Sequence, residues 1–149
     1  MKAYPHPTLD YQTSTVQTVF RILLGLNLAF AGIGHLTWAR VEFLAQVPTW
    51  LPMNGDLVVI LSGIVEVALG LALIFLGKYR TLVGWIVALF FVLVFPGNIS
   101  QYVNKIDAFG LNSDKARLIR LFFQPILVIW ALWSTGAWSS WRKSNQSTN

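Results

Sequence analysis

The residues able to do chemistry here are one carboxylate, one imidazole and a few amides and guanidiniums, all set in apolar surroundings. Glu66 stands inside LVVILSGIVEVALGLALIFLG, while Asn27 and His35 belong to VQTVFRILLGLNLAFAGIGHL. Asn98 and Gln101 follow Pro96-Gly97 in TLVGWIVALFFVLVFPGNISQYV, and Arg117, Arg120 and Gln124 lie in RLIRLFFQP. Such groups are costly in lipid, so each should face another helix or a wet cavity. A carboxylate with an imidazole suits proton handling, and the amides and guanidiniums beside them suit a carbonyl such as that of a quinone. Two groups of metal-ligand type fall short of a ligand set, so no metal site is expected. Each residue also has a plainer reading. Glu66 locks helix register, His35 caps a helix end, Asn98 and Gln124 make inter-helix hydrogen bonds worth about 0.6 kcal/mol each, and Arg117, Arg120 and Arg21 snorkel to headgroups. No catalytic residue is assigned.

Helical spacing, about 100° per residue, groups these side chains. Gly63, Glu66, Gly70 and Gly77 share one face of the second run. Gly84, Ala88, Phe91, Phe95, Asn98 and Tyr102 form a stripe on the third, with Gln101 beside it. Arg117, Arg120, Gln124, Ala131 and Thr135 form another on the fourth, and Asn27, Ala31, Gly34 and His35 a broader one on the first. At about 1.5 Å rise per residue, Asn27 and Glu66 fall about 13 Å below the outer surface, near the midplane, and Gln124 about 9 Å deep. The expected picture is an outward-facing polar pocket with Glu66 at its floor, and Arg21 or Arg120 as the cation that would reach it.

Positioning them requires four membrane-spanning helices. A span needs roughly 20 mostly apolar residues. The chain has 149 residues, 55% hydrophobic and 11% charged, against about 25% charged in an ordinary soluble domain. Four runs qualify: residues 16–36, 57–77, 81–103 and 116–138. The spacing predicts an all-α integral membrane four-helix bundle with an interfacial loop between helices 1 and 2. That loop, rich in aromatics and prolines, has a short helix expected around Arg40–Gln46. Residues 1–15 and 139–149 are expected as polar terminal segments, the second disordered, with Ser14 or Thr15 capping the first helix. The apolar start has no small-residue cleavage site, so the first helix is expected to be retained. Lys78-Tyr79-Arg80 is a short link that predicts antiparallel neighbours on either side, and Pro96 predicts a kink.

The net charge of +5 reflects Lys and Arg flanking the membrane, not nucleic-acid binding. Lys2, Lys78, Arg80, Arg142 and Lys143 against Arg40, Lys105, Lys115 and Arg117 bias both termini to the cytoplasmic side. The absence of cysteine excludes thiol–disulfide exchange, thiolate zinc and iron–sulfur ligation by this chain.

Several segments, in order, resemble the DoxX-like family of four-helix membrane proteins. They are Arg21 with Gly32-Ile33-Gly34-His35-Leu36, then Pro48-Thr49-Trp50-Leu51-Pro52, Gly63-Ile64-Val65-Glu66 with Gly70, Phe95-Pro96-Gly97-Asn98-Ile99, and Arg117 to Pro125. Gly97 stands where many members carry Ala. The resemblance covers about residues 19–138. It implies a bacterial inner-membrane protein, either an accessory or scaffold component of a membrane complex or part of an oxidoreductase. The first expectation is the accessory or scaffold component, with a membrane-protein partner or a homo-oligomer beside the lipid bilayer. The alternative is a quinone- or small-lipophile-binding oxidoreductase subunit, with quinone the one cofactor in view. The third is a small proton-coupled transporter using Glu66.

Overall fold

The computed structural model describes residues 12–147, and they are helical with no strand. The helices are α1 (Thr15–Leu36), α2 (Arg40–Gln46), α3 (Gly55–Phe75), α4 (Arg80–Val103), α5 (Asp114–Ser134) and α6 (Ala137–Gln146). α1, α3, α4 and α5 are long and apolar enough to cross a membrane, and the chain is a multi-pass membrane protein. Their starts follow side-chain capping. Ser14 and Gln17 form a reciprocal capping box at α1, with Gln17 N donating to Ser14 Oγ at 3.2 Å and Ser14 N donating to Gln17 Oε1 at 2.9 Å. Asn54 Oδ1 accepts from Asp56 N at α3, and Ser113 Oγ from Ala116 N at α5.

The bundle is built from two close pairs, α1 with α3 and α4 with α5. Glycines decide the first. A Cβ on Gly25 would stand 2.7 Å from the Gly70 carbonyl oxygen, and one on Gly32 2.6 Å from that of Gly63. With no side chains between them the backbones meet directly, the close approach that small residues permit in membranes. The short link after α3, a 3-10 turn at Gly77–Tyr79, does bring α4 alongside. The tighter partner of α3 is nevertheless α1, because Gly63 and Gly70 face it. In the second pair a Cβ on Gly84 would overlap Thr135. Leu24, Leu28, Leu73, Val87, Phe91 and Ala131 fill the seam between the pairs. Large apolar side chains such as Phe75, Phe122 and Ile129 point outward, which suits lipid.

Two expectations on element bounds are corrected. The fourth span does not continue to Trp138: it ends at Ser134, and Gly136, at φ 73°, turns the chain in a left-handed conformation open to glycine. The segment after it, expected as a disordered tail, forms α6, since Ala137 and Ser140 are buried where it lies against α4 and α5. Residues 1–11 of the expected N-terminal segment and 148–149 of the tail lie outside the described residues.

Candidate functional site

Between the two helix pairs, at the end of the bundle carrying α2, lies a cavity of about 890 Å³. Such a volume is in the upper part of the range for small-molecule sites, about 300–1,000 Å³. Most of its wall is apolar, including Phe30, Trp50, Phe90, Phe123 and Trp130. Six of the eight sequence candidates line it: Asn27, His35, Glu66, Asn98, Arg120 and Gln124.

His35 and Glu66 meet across the α1–α3 seam. His35 sits in the last turn of α1, and helical side chains lean toward their own N-terminus, which brings Glu66 back up α3 to the imidazole. His35 Nδ1 is 2.9 Å from Glu66 Oε2 and 3.0 Å from the Ala31 carbonyl oxygen. A proton on Nδ1 aligns with the carbonyl; the carboxylate oxygen lies beside it and makes no hydrogen bond of its own. The pair is nearly fully buried, and the imidazole stacks on Phe43 of α2, with ring centroids 3.3 Å apart and planes 14° apart. The partner of Glu66 is therefore His35, not Arg21 or Arg120. Arg21 is at the far end of α1, where Nη1 donates to the Leu73 carbonyl at 2.5 Å. A carboxyl beside an imidazole can exchange a proton with it.

The opposite wall is a chain of amides ending on a guanidinium. Gln124 Nε2 donates to the Phe91 carbonyl at 2.7 Å, and Asn98 Nδ2 donates to Gln124 Oε1 at 3.0 Å. Pro96 has no N–H to offer the Val92 carbonyl, the position next to the Phe91 carbonyl that Gln124 takes. Arg120 Nε donates to Asn98 Oδ1 and Nη2 to Gln46 Oε1, both at 3.3 Å, and its guanidinium lies 4.8 Å from the Phe109 ring centroid. Asn27 is exposed on α1 and donates to the Leu23 carbonyl of its own helix at 2.8 Å.

Gln101 and Arg117 do not line the cavity. Gln101, only 1% exposed, accepts from Gln46 Nε2 at 2.6 Å and donates to the Ile106 and Ala108 carbonyls. Arg117 pairs with Asp107 and, at 2.9 Å, with Asp114, and its Nε reaches the Ile106 carbonyl. Both fasten the loop between α4 and α5; helical periodicity put them on the right faces but could not foresee that the loop folds back over them. The sequence reading also passed over Phe43, Gln46 and Ser62. A seven-residue helix offers too few turns for periodicity to say which way Phe43 and Gln46 point. Outside the spans, Arg40 Nη2 is 2.5 Å from Asp56 Oδ2, and that carboxylate holds the Arg40 guanidinium above its ordinary pKa. Among the described residues there is no cluster of three or more His, Cys, Asp or Glu able to hold a metal ion.

A family described as a domain of unknown function, DUF8561, matches residues 24–135. No curated protein matches the chain. No solved structure matches it either.

Proposed function

The chain belongs to the DUF8561 family, and from its geometry we propose that it binds a small lipophilic molecule inside the membrane, in the cavity between its two helix pairs. One observation carries this: a space of about 890 Å³ with aromatic walls and two convergent polar groups, His35–Glu66 and Arg120–Asn98–Gln124. The space is a half-open cleft and not an enclosed void, so a molecule can enter it from outside the bundle. The accessory or scaffold role in a membrane complex accounts for the small size of the chain but gives no reason for the cavity. The DoxX-like segments support the same reading, because His35, Trp50, Glu66, Asn98, Arg120 and Gln124 all come from them or lie within them, and all face this space. The excess of Lys and Arg near Lys78 and Arg142 favours both termini inside and the α2 end of the cavity at the outer leaflet, and the bacterial inner membrane is what the DoxX-like resemblance implies.

Native mass spectrometry of protein released from its own membranes tests the proposal. The expected result is a bound molecule of a few hundred daltons, which Ser62→Trp, a bulky addition to the cavity wall, displaces while the helical content stays intact. Protein that carries no such molecule and takes up no environment-sensitive lipophilic dye would overturn it.

A further inference from the structure

We infer that the occupant is an anionic amphiphile, with its carboxylate or phosphate head on Arg120 and its tail against the aromatic wall; this rests on the lipophile-binding reading above. The inference comes from charge accounting. Of the chain's six acids, all but Asp10, which lies outside the described residues, are engaged elsewhere. Asp56 pairs with Arg40, Asp107 and Asp114 with Arg117, and Glu66 with His35, while Glu42 accepts the Phe109 N–H at 2.7 Å. Among the described residues no carboxylate is within ion-pair distance of Arg120. Glu66 lies within ion-pair distance of His35 and not of Arg120.

The other two arginines at this end, Arg40 and Arg117, each have a carboxylate. Arg120 alone faces the cavity with only amide oxygens and an aromatic ring for company. A guanidinium carries five N–H donors in a planar fork. One of them, on Nε, goes to Asn98 and another, on Nη2, to Gln46, so Nη1 and the second Nη2 hydrogen are unspent. An unspent edge of that fork matches a carboxylate or a phosphate, the planar or tetrahedral oxyanions that arginine holds in bidentate fashion. A cation in apolar surroundings without a counter-ion is expensive, and a ligand oxyanion removes that cost. The amide chain behind Arg120 is satisfied at each step and ends on the Phe91 carbonyl, so it holds the guanidinium and leaves the head-group contact to Arg120.

The test uses the full-length protein in a neutral detergent at pH 8, with displacement of a lipophilic dye as the readout. Oleate, lyso-phosphatidate, oleyl alcohol and decylubiquinone are the competitors, two anionic and two neutral. The wild type should prefer at least one anionic lipid to oleyl alcohol by about tenfold or more, the scale of a charge-assisted hydrogen bond. That preference should vanish in Arg120→Gln and survive in Arg120→Lys, which keeps the charge and guards against a folding defect. If oleate is preferred, the head is a carboxylate; if lyso-phosphatidate, a phosphate. Equal affinity for charged and neutral lipids in the wild type, or a preference that persists in Arg120→Gln, overturns the inference and leaves lipophile binding standing. Displacement by none of the four removes both.

Discussion

Two glycines, two positions apart on α1, make opposite predictions for the same substitution. A Cβ on Gly32 would lie 2.6 Å from the Gly63 carbonyl oxygen and 2.8 Å from the Val67 nitrogen, both backbone atoms. Neither can rotate away, so α1 and α3 must separate by something under 1 Å to restore ordinary contact. A Cβ on Gly34 would meet the Trp38 ring at 3.5 Å and the Ala39 Cβ at 3.7 Å, both ordinary van der Waals distances. Both substitutions gain the same helix propensity, up to about 1 kcal/mol. The difference between Gly32→Ala and Gly34→Ala is therefore the overpacking cost alone, about 1–3 kcal/mol. For a chain of this length that corresponds to roughly 2–4 °C of melting temperature per kcal/mol. Thermal unfolding in detergent, followed by the helical circular dichroism signal, measures it. Gly34→Ala should melt at or above the wild type and Gly32→Ala several degrees below Gly34→Ala. The separation should also loosen the His35–Glu66 approach, since both lie on the same seam. A Gly32→Ala protein that melts with or above Gly34→Ala would refute direct backbone contact between these helices.

Three further outcomes are expected. A double-mutant cycle on His35→Ala and Glu66→Gln should return a coupling of about 0.5–3 kcal/mol in unfolding free energy, with additivity refuting their contact. Gln101→Leu should destabilise by about 1–3 kcal/mol, because it strands the Gln46 amide and the buried Ala108 carbonyl, and Arg117→Gln should speed limited proteolysis of residues 104–113 while lipid displacement stays as in the wild type. Ser14→Ala should cost about 1 kcal/mol by opening the α1 capping box, seen as faster amide exchange in the first turn.

The four spans and the short α2 were legible because length and apolarity fix a membrane helix almost by themselves. The faces of α3, α4 and α5 were legible too, since in each helix the polar or small residues recur at helical spacing. What could not be read was which partner each face meets. Glu66 was placed correctly on its helix, yet its proximity to His35 depends on how far α1 slides along α3, and that is set by Gly25–Gly70 and Gly32–Gly63 backbone contacts. Gln101 and Arg117 sat on plausible faces, but their hydrogen bonds go to a loop whose path carries no periodic signal. The α6 helix was missed for a related reason: SSWRKSNQ is polar enough to read as solvated coil, and it is the burial of Ala137 and Ser140 that makes it a helix.

The two helix pairs are not fastened alike at their two ends. Toward the end opposite α2, Gln17 Nε2 donates to the Trp133 carbonyl at 2.7 Å, Trp130, at the inner limit of the cavity wall, donates Nε1 to the Phe20 carbonyl at 3.0 Å, and the Phe20 ring meets both tryptophans edge-on. At the cavity end, α2 spans the gap, held to one pair by Arg40 and the Phe43 stack on His35, and to the other by Gln46. The bundle is thus a clothes-peg, sprung at one end and latched at the other by seven residues. On the proposed lipophile-binding reading, a bulkier guest would have to part the jaws against that latch, with both glycine seams left closed. The strength of a few contacts on α2, more than the shape of the wall, would then set the largest molecule that fits.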